Sequence, residues 1–453
     1  MKRLWFAFAA ALIGFSGLGG ATWAASSHMH VDAKKKSGKI KITGCTAHGT
    51  ISYMFWGDKG DDAAHLAAIK AAEKACPGLK VNPIWDSGNY DTDLATKIGS
   101  GNAPDLFQLD ASKRIPEYVS EHALAPLNSF ISKYKVNMNV FWKQCVNEMT
   151  YKGKIWGLPE TCSNQSMLFY NKEMFKARHV AYPTDNWTYQ QLAAAGAKLS
   201  GTYTLPHSPQ SELRFGIAQN TDDFRTEQFM WDWGGDWLTP NLKTCTMTSK
   251  QSRAGLQFFH DLSYKYHAMP TAAQASGMPD YFSGFQQERY AMAFMGPWAL
   301  DYAFGKTPGG KKQIHFGWGV VPTPKGPVSR QAVMAATAQV VSANSPHKNA
   351  AFWLARFVAE GPGAIYEGSY GVDTPGAKAL WNNPKVVAEF GKNVLRVARL
   401  GNKTGRYPRL VPQYDKFWNT ISTDMKPFWA DTASVQSVTS KACSDVKSQG
   451  LLP

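Results

Sequence analysis

Several things are missing from this chain of 453 residues, and each absence narrows its chemistry. No two cysteines stand in C-x-x-C spacing, which argues against zinc ribbons and thioredoxin-like redox work. Neither G-x-S-x-G nor H-E-x-x-H occurs, so the strand-turn-helix serine hydrolases and the zincin peptidases find no motif here. Gly305-Lys306-Thr307 has the ending of a phosphate loop, but Leu300 stands where its first glycine belongs. Asn89, Asp91 and Asp93 open like a calcium loop, yet Leu94 replaces the turn glycine and Ser100 the closing glutamate. Internal repeats and low-complexity stretches are absent as well, which speaks against an adhesive or structural surface protein. After Leu4–Leu18, no apolar run reaches the ~18 residues needed to span a bilayer.

What is present describes a core-forming chain. Hydrophobic residues make up 44% and charged residues 18%, far from a disordered composition. The length suits two or three domains. The net charge is +15, but apart from Lys34-Lys35-Lys36, Lys39 and Lys41 the basic residues are scattered, so a nucleic-acid partner is not expected. Met1-Lys2-Arg3, the apolar Leu4–Leu18 and Thr22-Trp23-Ala24 read as a cleavable export signal over residues 1–24, with residues 25–38 as a polar leader. The six cysteines fit an exported chain, and six allow 15 connectivities. The pairing expected is Cys45–Cys76, Cys145–Cys162 and Cys245–Cys443, two short loops and one long tie from the tail to the middle. With 16 Trp, 18 Tyr and 24 Phe, the chain also has more rings than packing needs, a weak pointer toward sugar faces.

Strand-like and helix-like patterns alternate. ISYMFW reads as a buried strand, with Asp61 or Asp62 capping the alanine-rich HLAAIKAAEKA, which Pro77-Gly78 stops. LKVNPIW, the helical DTDLATKIG and APDLFQLD follow. Later, KIWGLPE leads to SMLFYNKEMFKA, and WTYQQLAAAGAKLS is an amphipathic helix capped by Thr188. Asn344-Ser345-Pro346 opens another helix with proline in its first position, and Leu354, Phe357 and Val358 form its core face. Such alternation predicts βαβ units around parallel sheets.

Six stretches in this order resemble the extracellular solute-binding proteins of bacterial ABC importers, the sugar-binding family that includes maltose-binding protein. They are NAPDLFQLDASKRIPEYVSEHALAPLNSFI, KIWGLPETCSNQSMLFYNKEMFKA, YPTDNWTYQQLAAAGAKL, FQQERYAMAFMGPWALDYA, GWGVVPTPKG and VVSANSPHKNAAFWLARFVA. One departure is the strand after the P-x-P-K-G turn, AATAQVV, where the family often carries Gly-Gly. The resemblance implies an α/β protein of two discontinuous, doubly wound lobes joined by a hinge, the periplasmic binding protein type 2 fold, with the ligand in the cleft. Residues 39–158 and 331–361 would form the N-terminal lobe, and 159–330 and 362–453 the C-terminal lobe. It further implies a monomeric periplasmic receptor for a sugar or polyol, no cofactor, and an ABC permease as partner. A sugar phosphate or glycerol-3-phosphate is the alternative ligand.

The expected ligand contacts are mostly rings and carboxylates. Trp298, just past the Gly296-Pro297 break, should stack on a sugar at the lip of the cleft. Asp110 ends its strand and could accept two hydroxyls, or cap the following helix. Glu160 follows the Gly157-Leu158-Pro159 crossover and should face the cleft; Asn164 falls where maltose-binding protein places a ligand carboxylate. Trp56 ends the first strand. Of Trp231 and Trp233, beside Gly234-Gly235, Trp233 is the one assigned to the site. Trp418, Asp373 and Arg409 complete the set, the last facing an anionic group or solvent. The competing reading is an exported glycoside hydrolase that uses Asp110 and Glu160 as its acidic pair.

Overall fold

Along the strand Gly49–Trp56, successive side chains enter different cores: Ile51, Tyr53 and Phe55 join one buried cluster, Met54 and Trp56 another. A strand covered on both faces must be apolar on both, which is why ISYMFW shows no polar alternation. The computed structural model describes residues 45, 47–57, 59–86, 88–206, 208–218, 226–302 and 314–452. The expected export signal and leader, Lys34–Lys36, and Gly305-Lys306-Thr307 lie outside them.

Two five-stranded sheets carry the fold. The first runs Leu79–Asp86, Gly49–Trp56, Leu106–Asp110, Thr337–Val341, Gly157–Pro159; the first three are parallel and Thr337–Val341 is antiparallel to both of its neighbours. The second runs Trp318–Val321, Met167–Asn171, Tyr290–Met295, Ser208–Ala218, Gly201–Leu205, with one parallel pair, Ser208–Ala218 on Tyr290–Met295. Each sheet has a buried cluster on either face, so the chain is an α/β protein of two lobes.

The helices form where the sequence pattern places them, with shifted starts. Lys59–Ala75 buries Ala64, Ala68, Ile69 and Ala72, a stripe at helical spacing, and ends before Pro77-Gly78. It starts ahead of Asp61 and Asp62, so Asp62 lies in its first turn, where a carboxylate complements the helix dipole instead of capping it. Thr188 does cap Tyr189–Leu199, in a capping box with Gln191. That helix sits so close to strand Ser208–Ala218 that a Cβ on Gly216 would lie 2.2 Å from the Gly196 carbonyl oxygen. The helix expected to start at Pro346 starts at Lys348, after a short turn; Leu354, Phe357 and Val358 are buried as expected. KIWGLPE is two short strands, Lys154–Ile155 and Gly157–Pro159, because Trp156 turns inward between them.

Three crossings join the lobes, and they are bonded to one another. Ser163–Asn164 and Met334–Ala335 pair as a two-stranded antiparallel ribbon between the sheets. The third crossing lies against the first: the Cys162 N–H donates to the Thr374 carbonyl (3.0 Å), and Thr374 Oγ1 donates to the Cys162 carbonyl (3.0 Å). On this last crossing, helix Ala364–Ser369 packs on Lys59–Ala75 of the first lobe and on Pro384–Thr404, so it leans on both lobes. The three disulfides are Cys45–Cys76, Cys145–Cys162 and Cys245–Cys443, the expected pairing, with Cα separations of 5.5, 5.9 and 5.4 Å. Cys145–Cys162 pins the first crossing to helix Lys143–Glu148.

Candidate functional site

Val333 is the centre from which the site is built. It lies in the second crossing, fully buried. Its carbonyl accepts from the Gln165 N–H (2.8 Å), and its N–H donates to Ser166 Oγ (2.7 Å), both on the first crossing. Trp231 and Trp418 pack on it, and Arg406 runs beside it, with the Met334 N–H on the Arg406 carbonyl (2.6 Å). Gln165 carries a third indole: Trp298 Nε1 donates to Gln165 Oε1 at 2.9 Å. Strand Tyr290–Met295 ends at Gly296-Pro297, and the indole of Trp298 folds back so tightly that a Cβ on Gly296 would lie 2.3 Å from its Nε1. Only glycine admits that geometry, so the Gly-Pro break exists to aim the ring.

Charge on this wall is organised by one carboxylate. Asp236 Oδ2 accepts from Arg406 Nη2 (2.5 Å) and Arg409 Nη2 (2.7 Å), while Oδ1 accepts from Trp231 Nε1 (3.2 Å). The Arg406 guanidinium lies 4.6 Å from the centre of the Trp231 ring, a cation–π contact. Two guanidinium groups share one carboxylate, which leaves the cluster net positive; Arg409 Nε is buried without a hydrogen-bond partner among the described residues. Behind it, Asp232 accepts from Tyr189 OH (3.0 Å) and from the Gln331 N–H (2.6 Å), and burial raises its carboxyl to about 7.

The first lobe offers a smaller wall. Trp56, Asn89, Tyr90, Asp91, Thr92 and Asp110 line a cavity of about 450 Å³. Trp56 meets Tyr90 edge to face at 5.0 Å. Asp110 stands at the N-terminus of helix Ala111–Ser120 but makes no capping bond; it pairs with Lys113 Nζ at 2.9 Å and accepts from Ser112 Oγ at 3.3 Å. Glu148, fully buried, lies near enough that the Asp110 charge adds to burial in pushing its carboxyl well above the usual range. The two walls are linked: Arg114, one turn past Asp110, reaches Asp415, one turn before Trp418, with Arg114 Nη1 2.7 Å from Asp415 Oδ2.

The other expected contacts are placed elsewhere. Glu160 does not face an opening: only 3% exposed, it gives both oxygens to His65, Gln108 and Gln339 inside the first lobe. Glu160 is not among the residues lining the cavity that holds Asp110. Asn164 is buried and its Oδ1 accepts from the Ser166 N–H (3.0 Å), a local turn bond that shapes the crossing. Trp233, half-buried, packs against the second-lobe core, 4.8 Å from Phe258 and 5.3 Å from Tyr189, while the buried Trp231 is the one that meets Val333 at the crossings. Asp373 Oδ1 accepts from its neighbour's N–H at Thr374 (2.6 Å) on the third crossing. Trp231, Arg406, Asp236 and Tyr90 were not singled out for the site. In FMWDWGGDW the spacing cannot tell which indole meets the crossings, since both stand at the same helix end.

This arrangement, two lobes with indoles gathered at the crossings between them, is that of a two-lobed binding protein. Residues 56–364 match the family described as bacterial extracellular solute-binding proteins, and the chain belongs to it. An uncharacterised ABC transporter extracellular-binding protein of Pyrococcus horikoshii is 23% identical over 308 residues, covering 67% of this chain and 66% of that protein. The chain thus matches just under two thirds of that relative's length. Among solved structures, an ABC substrate-binding protein from Listeria monocytogenes in complex with cycloalternan superposes with a TM-score of 0.76 at 23% identity, covering 89% of this chain and 100% of that one. The maltose/maltodextrin-binding domain from Bdellovibrio bacteriovorus, bound to maltotriose, gives 0.70 at 17% identity, covering 88% and 99%.

Proposed function

We propose that the protein is the substrate-binding component of an ABC importer, capturing a sugar or related polyol outside the cytoplasmic membrane and delivering it to a permease. The gathering of Trp231, Trp298 and Trp418 around the crossings carries this reading. Flat indole faces bury the C–H surfaces of a pyranose, while Asp236, Arg406, Arg409 and Asp110 offer hydrogen-bond partners to hydroxyls. The lobes, 39–158 with 331–361 and 159–330 with 362–453, close about the bonded crossings, and the ligand favours closure by its better affinity for the closed form. The same reading makes the protein an exported, periplasmic monomer that binds without a cofactor and returns its ligand unaltered. Among the described residues no helix is long and apolar enough to cross a membrane.

A second ligand class draws on one observation. The net positive Asp236–Arg406–Arg409 cluster suits a sugar phosphate or glycerol-3-phosphate better than a neutral oligosaccharide. A thermal-shift screen of neutral oligosaccharides, monosaccharides, polyols and sugar phosphates separates the two, because a ligand that binds only the folded form raises Tm. Absence of any stabilising saccharide or polyol, or a hydrolysis product on chromatography of the best ligand, defeats the proposal.

A further inference from the structure

Across one face of the first sheet runs a row of buried polar side chains. Tyr53, Gln108 and Gln339 project from strands Gly49–Trp56, Leu106–Asp110 and Thr337–Val341, with Gln108 and Gln339 directly opposite each other. His65 from helix Lys59–Ala75, Glu160 from the first crossing and Glu367 from helix Ala364–Ser369 close over them. These six residues range from 0% to 6% exposed. One nitrogen of His65 and one oxygen each of Glu160 and Glu367 lie within 4.8 Å of one another.

The hydrogen bonds give each group a role. Glu160 Oε2 accepts from Gln108 Nε2 (2.6 Å) and Gln339 Nε2 (2.7 Å), so its other oxygen, Oε1, is left facing His65 Nε2 at 3.0 Å. The Trp56 N–H donates to Gln108 Oε1 (3.0 Å), which turns the amide NH₂ of Gln108 toward the same Nε2, 2.8 Å away. One ring nitrogen cannot both accept from that amide and donate to the carboxylate. The imidazole is held by Phe55, stacked at 4.6 Å, and by Tyr53, edge-on at 5.9 Å. A second observation is independent of the acids: Gln339, completely buried, keeps Oε1 without a hydrogen-bond partner. Charge points the same way. Among the described residues neither lysine nor arginine is a hydrogen-bond partner of Glu160, and burial, with the Glu160 charge next, pushes the Tyr53 hydroxyl well above its ordinary value, so it stays neutral. A divalent cation held among these three donors would compensate buried carboxylate charge.

We propose that His65, Glu160 and Glu367 form a site for a divalent transition ion, with Zn²⁺ as the best match to one imidazole and two carboxylates. Bonds of about 2 Å in a tetrahedron put ligand atoms roughly 3.3 Å apart, within the 3.0–4.8 Å span found here. The two glutamine amides orient the Glu160 ligand from outside, as such partners do at metal centres. The ion would tie the first and third crossings to helix Lys59–Ala75, a structural role separate from the ligand wall.

The test uses the exported chain, purified without a polyhistidine tag. Metal analysis is expected to find close to one equivalent of zinc. Dialysis against a chelator should lower Tm, and Zn²⁺ at about a hundredfold excess over Kd should restore it by roughly 3–8 °C. Glu367→Gln should abolish the restoration while sugar-induced stabilisation persists. Should that variant fail to fold, diffraction of the native protein at the zinc edge decides, with an anomalous peak expected between the three side chains. Metal content below a tenth of an equivalent with a Tm indifferent to chelator and Zn²⁺, or zinc found only at other residues, overturns the proposal. Neither result bears on sugar binding.

Discussion

The two walls of the site are built from different materials. The second-lobe wall is three indoles and two guanidinium groups fixed by one aspartate; the first-lobe wall is one indole, one tyrosine and an Asp110–Lys113 pair around a cavity of about 450 Å³. Rings on the second wall are anchored through their own N–H groups, Trp231 to Asp236 and Trp298 to Gln165, so their faces are pre-set before any ligand arrives. Fixed faces lose little entropy on binding, whereas the half-buried carboxylate and lysine of the first wall must exchange their mutual ion pair for ligand contacts. If these walls hold the proposed ligand, most of the affinity should come from the second lobe and the completion of the site from the first.

The largest expected effect tests that assignment directly. Trp298→Ala should weaken the best ligand by about tenfold to a hundredfold by calorimetry, and Trp56→Ala on the other wall by less, since an aromatic contact contributes roughly 0.5–1.5 kcal/mol in addition to the area it buries. A greater loss at Trp56 would reverse the comparison, and a Trp298→Ala change within twofold would remove the stacking role. Next in size is Asp236→Ala, which frees both guanidinium groups from their common partner. Affinity for a neutral sugar should fall roughly fivefold to tenfold, the upper part of the range for one net hydrogen bond, while affinity for a sugar phosphate should hold or rise. Equal losses for both ligands would mean the arginines face only protein.

A third prediction concerns the support behind the wall. Asp232 titrates at about 7 in the folded protein against 3.8 for an ordinary aspartate, because burial disfavours its charge. The folded state therefore binds the proton more tightly, and the stability from this group is fully present below pH ~4 and lost as pH rises through about 7. Asp232→Asn should flatten the stability-versus-pH curve between pH 4 and 7, read from urea midpoints at several pH values. An unchanged slope would show that the carboxyl is not desolvated.

Much of this was legible in the sequence, and the parts that were not share a cause. Strand, helix and crossover positions follow from local pattern: the buried run in APDLFQLD, the Thr188–Gln191 capping box, the Gly296-Pro297 break before Trp298. The cysteine pairing was legible because two of the loops are short. Direction was not. Glu160 sits next to a crossover, as expected, but whether it turns toward the opening or under the sheet depends on Gln108 and Gln339, 52 and 179 residues away in the chain. Trp231 and Trp233 differ by two positions at one short helix end, and distant partners decide their surroundings: Val333 and Arg406 for Trp231, Phe258 and Tyr189 for Trp233. Arg406 owes its role to Asp236, 170 residues distant.

The smallest expected effect lies where the walls meet. Arg114 holds Asp91 and Glu117 within its own lobe, at 2.8 and 2.9 Å, and Asp415 across the cleft at 2.7 Å. Opening costs it only the third partner, because the other two travel with it. The cross-lobe bond therefore stabilises the closed form weakly, in the 0–1 kcal/mol range of exposed ion pairs, as Asp415 is 54% exposed. A bias on closure alone scales the apparent affinity for every ligand by the same factor. Asp415→Asn should thus weaken all ligands together by roughly twofold to fivefold, without reordering them, and the effect should fade as salt is raised. A change that falls on one ligand and spares another would place Asp415 on the ligand itself and dissolve the distinction between a gripping wall and a closing one.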